Sequence, residues 1–308
     1  MTDKYHQGVM KKEVVSYLIT DKEGLYVDAT LGGGDHAEAI LKVANGVRVL
    51  ATDRDSDAID YCRRRFGGND RIEMHKSAFA DLDRIIRENA YEPVYGFLFD
   101  LGLSSHQIDN PSRGFSYDTD AKIDMRADRN SNLSAHIVLN KYDTDQLKQI
   151  FYDYAEIPYA NKLVERIIEN RPLDTTGQLK NVVSKFVPSR KLNSHLSRIF
   201  QAIRIEVNDE LEQLKAGLAH ALNFTEVGGR IVVISYHSLE DRIVKQFFAF
   251  HNKSCICPPE IVVCRCDHVK SLDVLTKKPI RPEQEEIRKN PRSRSALLRV
   301  AEKIQEVN

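Results

Sequence analysis

Leu25-Tyr26-Val27-Asp28-Ala29-Thr30-Leu31-Gly32-Gly33-Gly34-Asp35-His36 decides the fold, because an apolar run there opens directly into three glycines. The run from Leu25 to Ala29 predicts a short buried strand. Glycines after it let the backbone turn tightly and approach a ligand without a Cβ in the way. Ala37, Ile40, Leu41 and Ala44 then share one face of a helix expected from Asp35 to about residue 44. A second strand, Val47 to Thr52, ends at Asp53, 19 residues past Gly34. At that offset a carboxylate on a strand end binds a ribose diol in nucleotide-binding βαβ units. The pattern points to a cofactor that contains adenosine. The plainer alternative is that Asp53 only caps the helix after it.

The alternation continues outward. Ile59, Cys62, Arg63 and Phe66 suit a helix, Ile72 to His75 a third strand, and Leu82 to Ile86 another helix. Gly96 to Phe99 is a buried-strand run that ends in Asp100. Strands and helices in turn predict an α/β fold with a doubly wound, largely parallel sheet. The next comparable run, Gly229 to Ser235, starts 129 positions after Asp100. A crossover needs only about 10–12 residues, so something the size of a domain is inserted there. Its first part, 104–132, is rich in Asp, Ser, Asn and Gly and reads as a long functional loop. Helical spacing follows at 145–154, 158–170, 179–186, 194–205 and 209–222.

The chain has 308 residues, 45 basic against 45 acidic, and 42% hydrophobic. That composition excludes a disordered chain, a collagen-like chain, a disulfide scaffold and a global polycation. No stretch approaches the roughly 18 apolar residues of a membrane span. Asp3, Lys11, Lys12 and Glu13 interrupt any leader-like apolar region. A cytoplasmic protein without a membrane partner is expected, its five cysteines reduced. A nucleic-acid partner would have to meet local basic charge. Lys185, Arg190, Lys191, Arg198 and Arg204 lie in a stretch without an acidic residue, and 277–299 carries eight basic residues against three acidic.

Gly32-x-Gly34-x-x-Ala37 also satisfies the dinucleotide pattern, so a nicotinamide-dependent dehydrogenase competes as a reading. Two features favour S-adenosylmethionine. Asp100 places a carboxylate at the site mouth, where a cationic sulfonium and ammonium are tolerated, and Phe79 offers a ring to adenine. Catalytic candidates are Asp100, Ser104 in the turn that follows it, and Tyr236 and His237 at the end of the fifth strand. Tyr236 suits stacking on a base and His237 a hydrogen bond to it, although a lone His is more often structural. Arg126, Asn208, Arg242, Arg292 and Arg294 are candidates for contacts to a nucleic acid or within the loops. Acidic neighbours of Arg126 and Arg242 equally suit internal ion pairs. Cys255-x-Cys257 and Cys264-x-Cys266 place four thiols in 12 residues. Common zinc knuckles use the wider C-x₂₋₄-C spacing, so no metal ligand is assigned.

Several blocks, in order along nearly the whole chain, resemble the bacterial 16S rRNA (cytosine-N4)-methyltransferase family. They are 28–36, Asp100-Leu101-Gly102-Leu103-Ser104-Ser105-His106-Gln107, Arg113-Gly114-Phe115-Ser116, Ile123-Asp124-Met125-Arg126, 200–208, 237–245 and Asn290-Pro291-Arg292-Ser293-Arg294-Ser295. The resemblance implies N4-methylation of a cytidine in the decoding region of 16S rRNA, with the 30S ribosomal subunit as partner. It implies a class I S-adenosylmethionine-dependent methyltransferase core over 1–108 and 212–308, with an inserted all-helical domain over 109–211. Cofactor contacts are implied at Gly33, Gly34, Asp35, His36, Asp53, Phe79, Asp100 and Gln107. Asp35 stands where the family usually has Gly. A homodimer stays open.

Overall fold

The computed structural model describes residues 8–258, 260 and 263–306. The chain forms two compact units, one from Met1–Gly102 with Leu211–Asn308, the other from Leu103–Glu210.

The first unit begins with α1 (Lys11–Leu18), β1 (Leu25–Asp28), α2 (Asp35–Leu41), β2 (Arg48–Asp53) and α3 (Ser56–Arg65). Next come β3 (Ile72–Lys76), α4 (Leu82–Glu88) and β4 (Val94–Asp100). The second unit supplies α5 (Ser105–Asp109), α6 (Ala135–Lys141), α7 (Thr144–Asp153), α8 (Ala160–Glu169), α9 (Thr176–Ser184) and α10 (Ser189–Asn208). The chain returns through α11 (Glu210–Phe224), β5 (Thr225–Ser235), α12 (Ser238–His251), β6 (Leu272–Val274), α13 (Gln284–Lys289) and β7 (Leu297–Lys303).

One seven-stranded sheet orders these strands β3-β2-β1-β4-β5-β7-β6. The pairs from β3 through β5 are parallel, while β7 lies antiparallel between β5 and β6. Strands covered on both faces need continuous apolar runs, which explains why β4 and β5 read as they do. Successive residues still part to opposite faces. Leu98, Val232 and Ile234 pack with Val14, Leu18, Ile40 and Ile59 from α1, α2 and α3. Phe97, Phe99, Ile231 and Val233 pack with Ile86, Leu218 and Phe248 from α4, α11 and α12.

Two differences from the sequence reading have local causes. Helix α2 stops at Leu41, because a short Val43 N–H to Ile40 O bond tightens its last turn. Strand β7 has no counterpart in the reading, because Arg299 interrupts its apolar run. The structure satisfies that charge with Asp241 on α12, at 2.7 and 3.0 Å.

The second unit is helical, with Leu147, Phe151, Leu163, Ile167, Val183, Leu196 and Ile203 in its core. Capping boxes at Asp143/Gln146 and Thr175/Gln178 start α7 and α9. The stretch 104–132 is not an open loop. Phe115, Ile123 and Met125 are buried in the core, and the Arg113 guanidinium donates to the carbonyls of Arg126 and Ala127. This unit starts at Leu103, so Ser104 and Gln107 belong to it.

Candidate active site

Asp28, Asp53 and Asp100 close β1, β2 and β4, and Tyr236 directly follows β5. In a doubly wound sheet these carboxyl ends form the crevice in which ligands bind. Thr30 ties the Asp28 carboxylate and the Asp100 backbone together at the strand ends. Its N–H donates to Asp28 Oδ1 at 3.1 Å, and its hydroxyl accepts the Asp100 N–H at 2.7 Å.

The glycine turn is fixed from beneath. Gly32 N–H donates to Asp53 Oδ2 at 2.8 Å, and Asp55 N–H donates to Asp53 Oδ1 at 2.8 Å. Burial pushes the Asp53 carboxyl up to about 6 against these two donors. Gly34 has φ +80°, and a Cβ there would lie 2.6 Å from the Phe66 ring and 3.0 Å from Cys62 Sγ. Only glycine fits that position without strain. The Gly33 carbonyl accepts from the Arg65 guanidinium. Cys62 sits below the turn and donates to the Gly32 carbonyl.

Asp35 is spent on the protein itself. Its carboxylate pairs with Arg65 at 2.8 Å and Lys11 at 3.5 Å and accepts the Gly8 N–H. It lies in the first turn of a right-handed helix, so the position needs no positive φ and tolerates a side chain. Despite partial burial, the Arg65 bond leaves its carboxyl below the ordinary range.

The densest cluster surrounds Asp100. Tyr236 donates its hydroxyl to Asp100 Oδ1 at 2.8 Å, and His36 Nε2 lies 3.2 Å from Asp100 Oδ2. Asp28, His36 and Asp100 are 0%, 4% and 6% exposed. Burial drives the Asp28 carboxyl up to about 6. Burial works against a charged His36, yet the Asp100 bond and the neighbouring carboxylates hold its pKa above the ordinary imidazole value. Burial, with Asp100 beside it, lifts the Tyr236 phenol well above its usual range. A side chain at Gly102 would strike this ring, at 2.7 Å from Tyr236 Cε2.

His237 faces a different partner. It is the N-cap of α12, with Nδ1 accepting the Glu240 N–H and Nε2 lying 3.0 Å from Glu240 Oε1. Glu240 in turn accepts the Tyr236 N–H at 2.8 Å. The structure thus gives His237 a capping role, the bland alternative of the sequence reading. Phe79 is half-buried and meets Phe99 edge-on at 5.3 Å. In the second unit Ser104 and Gln107 bond each other in the capping box of α5. There, Arg126 forms a forked ion pair with Asp124. Asn208 accepts the Ala127 N–H and donates to the Met125 carbonyl.

Sequence reasoning missed Thr30, Arg65 and Glu240. Arg65 ends an Arg-Arg-Arg run, in which nothing marks the one that turns inward. Thr30 acts through backbone geometry that no spacing records, and Glu240 closes a capping box whose N-cap is His rather than the usual Ser or Thr.

The cluster fits a cationic adenosine cofactor. Asp28 Oδ2 and His36 Nδ1 are buried polar atoms without a hydrogen-bond partner among the described residues, an arrangement that costs stability unless a ligand meets them. Three carboxylates at one crevice suit a sulfonium and an ammonium, and at Gly32 the turn leaves open the space that a Cβ would fill.

The profile of the MraW methylase family matches residues 3–304. The chain belongs to this family. It is 47% identical over 304 residues to the ribosomal RNA small subunit methyltransferase H of Caldicellulosiruptor saccharolyticus, covering 97% of this chain and 99% of that relative. The protein of the same name from Halothermothrix orenii is 42% identical over 307 residues, with 97% and 98% covered. A solved structure described as an rRNA methylase from Streptococcus thermophilus aligns over 96% of this chain and 94% of its own, at 12% identity and a TM-score of 0.43. The MraW-family chain is accordingly a methyltransferase, and S-adenosylmethionine is its methyl donor. Its seven-stranded sheet is the class I methyltransferase fold that the resemblance implied. Among the described residues no helix is long and apolar enough to cross a membrane.

Proposed function

We propose that this MraW-family methyltransferase methylates N4 of a cytidine in the decoding region of 16S rRNA, acting in the cytoplasm on the small ribosomal subunit. The observation that carries the reading is 47% identity across 97% of the chain to a ribosomal RNA small subunit methyltransferase. A second feature supports an RNA substrate. Lys185, Arg190, Lys191 and Arg198 are exposed at and before α10, and among the described residues none pairs with a carboxylate. Such a face neutralises phosphates while the chain as a whole stays neutral.

The cofactor supplies a methyl group activated on sulfonium, so the protein contributes mainly position and electrostatics. The N4 lone pair of cytosine is delocalised into the ring. An acceptor for its N–H groups favours the pyramidal nitrogen that forms as the new bond is made. In this reading Asp100 is that acceptor and takes the proton that the methylated nitrogen must lose. Tyr236 and His36 act as positioning residues, fixing one carboxylate oxygen each. The Leu101 and Gly102 carbonyls are the competing acceptors.

The test is methyl transfer from labelled S-adenosylmethionine to 30S subunits and to naked 16S rRNA that lack the modification. One labelled N4-methylcytidine in the decoding region is the expected result, and label at another base or none would overturn the proposal. Asp100→Asn separates the acceptors. If the variant kept both cofactor affinity and single-turnover rate, Asp100 would have no such role.

A further inference from the structure

Between the end of α12 and the start of β6, residues 252–271 form no helix or strand among their described positions. None of the described residues from 253 to 270 is buried. Loops this long without secondary structure are uncommon in a compact unit; among the described residues, His268 ties this one to α12 through the Phe250 ring and carbonyl. Ile256 and Val263 are 43% and 70% exposed.

Four sulfurs nevertheless converge there. The Sγ atoms of Cys255, Cys257, Cys264 and Cys266 all lie within 4.8 Å of one another. Cys264 is 3.4 Å from Cys255, 3.5 Å from Cys266 and 4.0 Å from Cys257, and Cys255 is 3.6 Å from Cys266. Thiols are weak donors and acceptors, so crowding at an exposed site gains little by itself. A tetrahedral tetrathiolate with metal–sulfur bonds of about 2.3 Å has sulfur–sulfur edges of about 3.8 Å. The observed separations bracket that edge. A disulfide would draw one pair to about 2.05 Å, and an iron–sulfur cluster would spread the sulfurs over several irons.

The backbone is arranged for thiolates. Ile256 N–H points to Cys266 Sγ, Cys257 N–H to Cys255 Sγ and Arg265 N–H to Cys257 Sγ, each at 3.4 Å. Donors aimed at sulfur stabilise its negative charge and orient it as a ligand. Cys264 and Cys266 approach to 3.5 Å with one residue between them, so the short C-x-C spacing is no barrier.

We propose that these four cysteines hold a structural zinc ion that orders 252–271 in place of a hydrophobic core. Soft thiolates in a closed tetrahedral set select zinc and leave no open position for catalysis. Binding makes four Zn–S bonds and releases four thiol protons to solvent, with no change of oxidation state.

Full-length protein purified without chelator or histidine tag provides the test. Elemental analysis should find one zinc per chain, absent from the Cys255→Ser/Cys264→Ser double variant. Wild-type protein stripped of metal and titrated with Co²⁺ should develop the intense visible bands of tetrahedral thiolate cobalt, a readout that does not need the variant to fold. Stripping should also open 252–271 to protease. A metal-free native protein with four readily alkylated thiols, two disulfides in the intact mass, or bound iron with inorganic sulfide would each overturn the proposal.

Discussion

Two polar clusters of the first unit are built in opposite ways. Asp28, His36, Asp100 and Tyr236 stand at strand ends among buried neighbours, and the sheet fixes them whether or not anything binds. The four thiols of 255–266 ride on a segment with no buried residue among those described, so in the zinc-bound reading their order comes from what they hold. In the first cluster the fold imposes a cost, because Asp28 is wholly buried with one carboxylate oxygen unmet among the described residues. In the second cluster the ligand would provide the fold. The difference teaches where each cluster is vulnerable: chemistry and pH at the strand ends, and metal supply at the loop.

Asp100→Asn should break the first cluster most severely. It removes the charge from the residue that Tyr236 and His36 both hold, and a loss of about 100-fold or more in single-turnover rate is expected. Stopped-time methyl transfer with saturating cofactor measures it. Next in size is a pH effect on stability. The Asp28 carboxyl sits at about 6 in the fold and near 3.8 when free. Between those values the native state keeps a proton that the unfolded chain has released, so stability falls as pH rises from about 4 to 6 and levels off above. For this fully buried group the drop is on the order of 3 kcal/mol. Urea unfolding across that range should show a shallower decline for Asp28→Asn, and an unchanged decline would remove Asp28 as its source. Gly34→Ala follows, at about 1–3 kcal/mol from the positive φ, raised further by the close Phe66 ring. Weaker cofactor binding should accompany it in calorimetry.

Much of the first cluster was legible because strand ends are marked by apolar runs, and a carboxylate after such a run is placed by the pleat. Such runs place Asp100, and Asp53 beside the glycine turn, at strand ends, and the turn itself singles out Gly34. Asp35 shows the limit. Its charge invited a role toward the cofactor, whereas Arg65 and Lys11, both remote in sequence, neutralise it. His237 shows another: a side chain that caps a helix and one that hydrogen-bonds a nucleobase look alike in sequence, and the structure shows the cap on α12. Strand β7 was missed because Arg299 breaks its apolar run, and only Asp241 on α12 makes that charge tolerable. The four cysteines were visible as a spacing, but a spacing does not show that the sulfurs converge.

Tyr236→Phe should have the smallest effect and the sharpest meaning. The ring remains for stacking on a base, and only the hydroxyl that donates to Asp100 Oδ1 at 2.8 Å is lost. A net hydrogen bond to a charged acceptor is worth about 1.5–3 kcal/mol, so a decrease of about tenfold or more is expected. Where it falls decides what Tyr236 does. If Tyr236 positions Asp100, kcat should drop while KM for the ribosomal substrate and the affinity for cofactor stay near wild type. Tyr236→Leu, which also removes the ring, would then add a rise in KM only if the ring contacts the base. An unchanged kcat in Tyr236→Phe would mean that the sheet alone aims Asp100, and that the bond to Tyr236 is part of the packing at the end of β5.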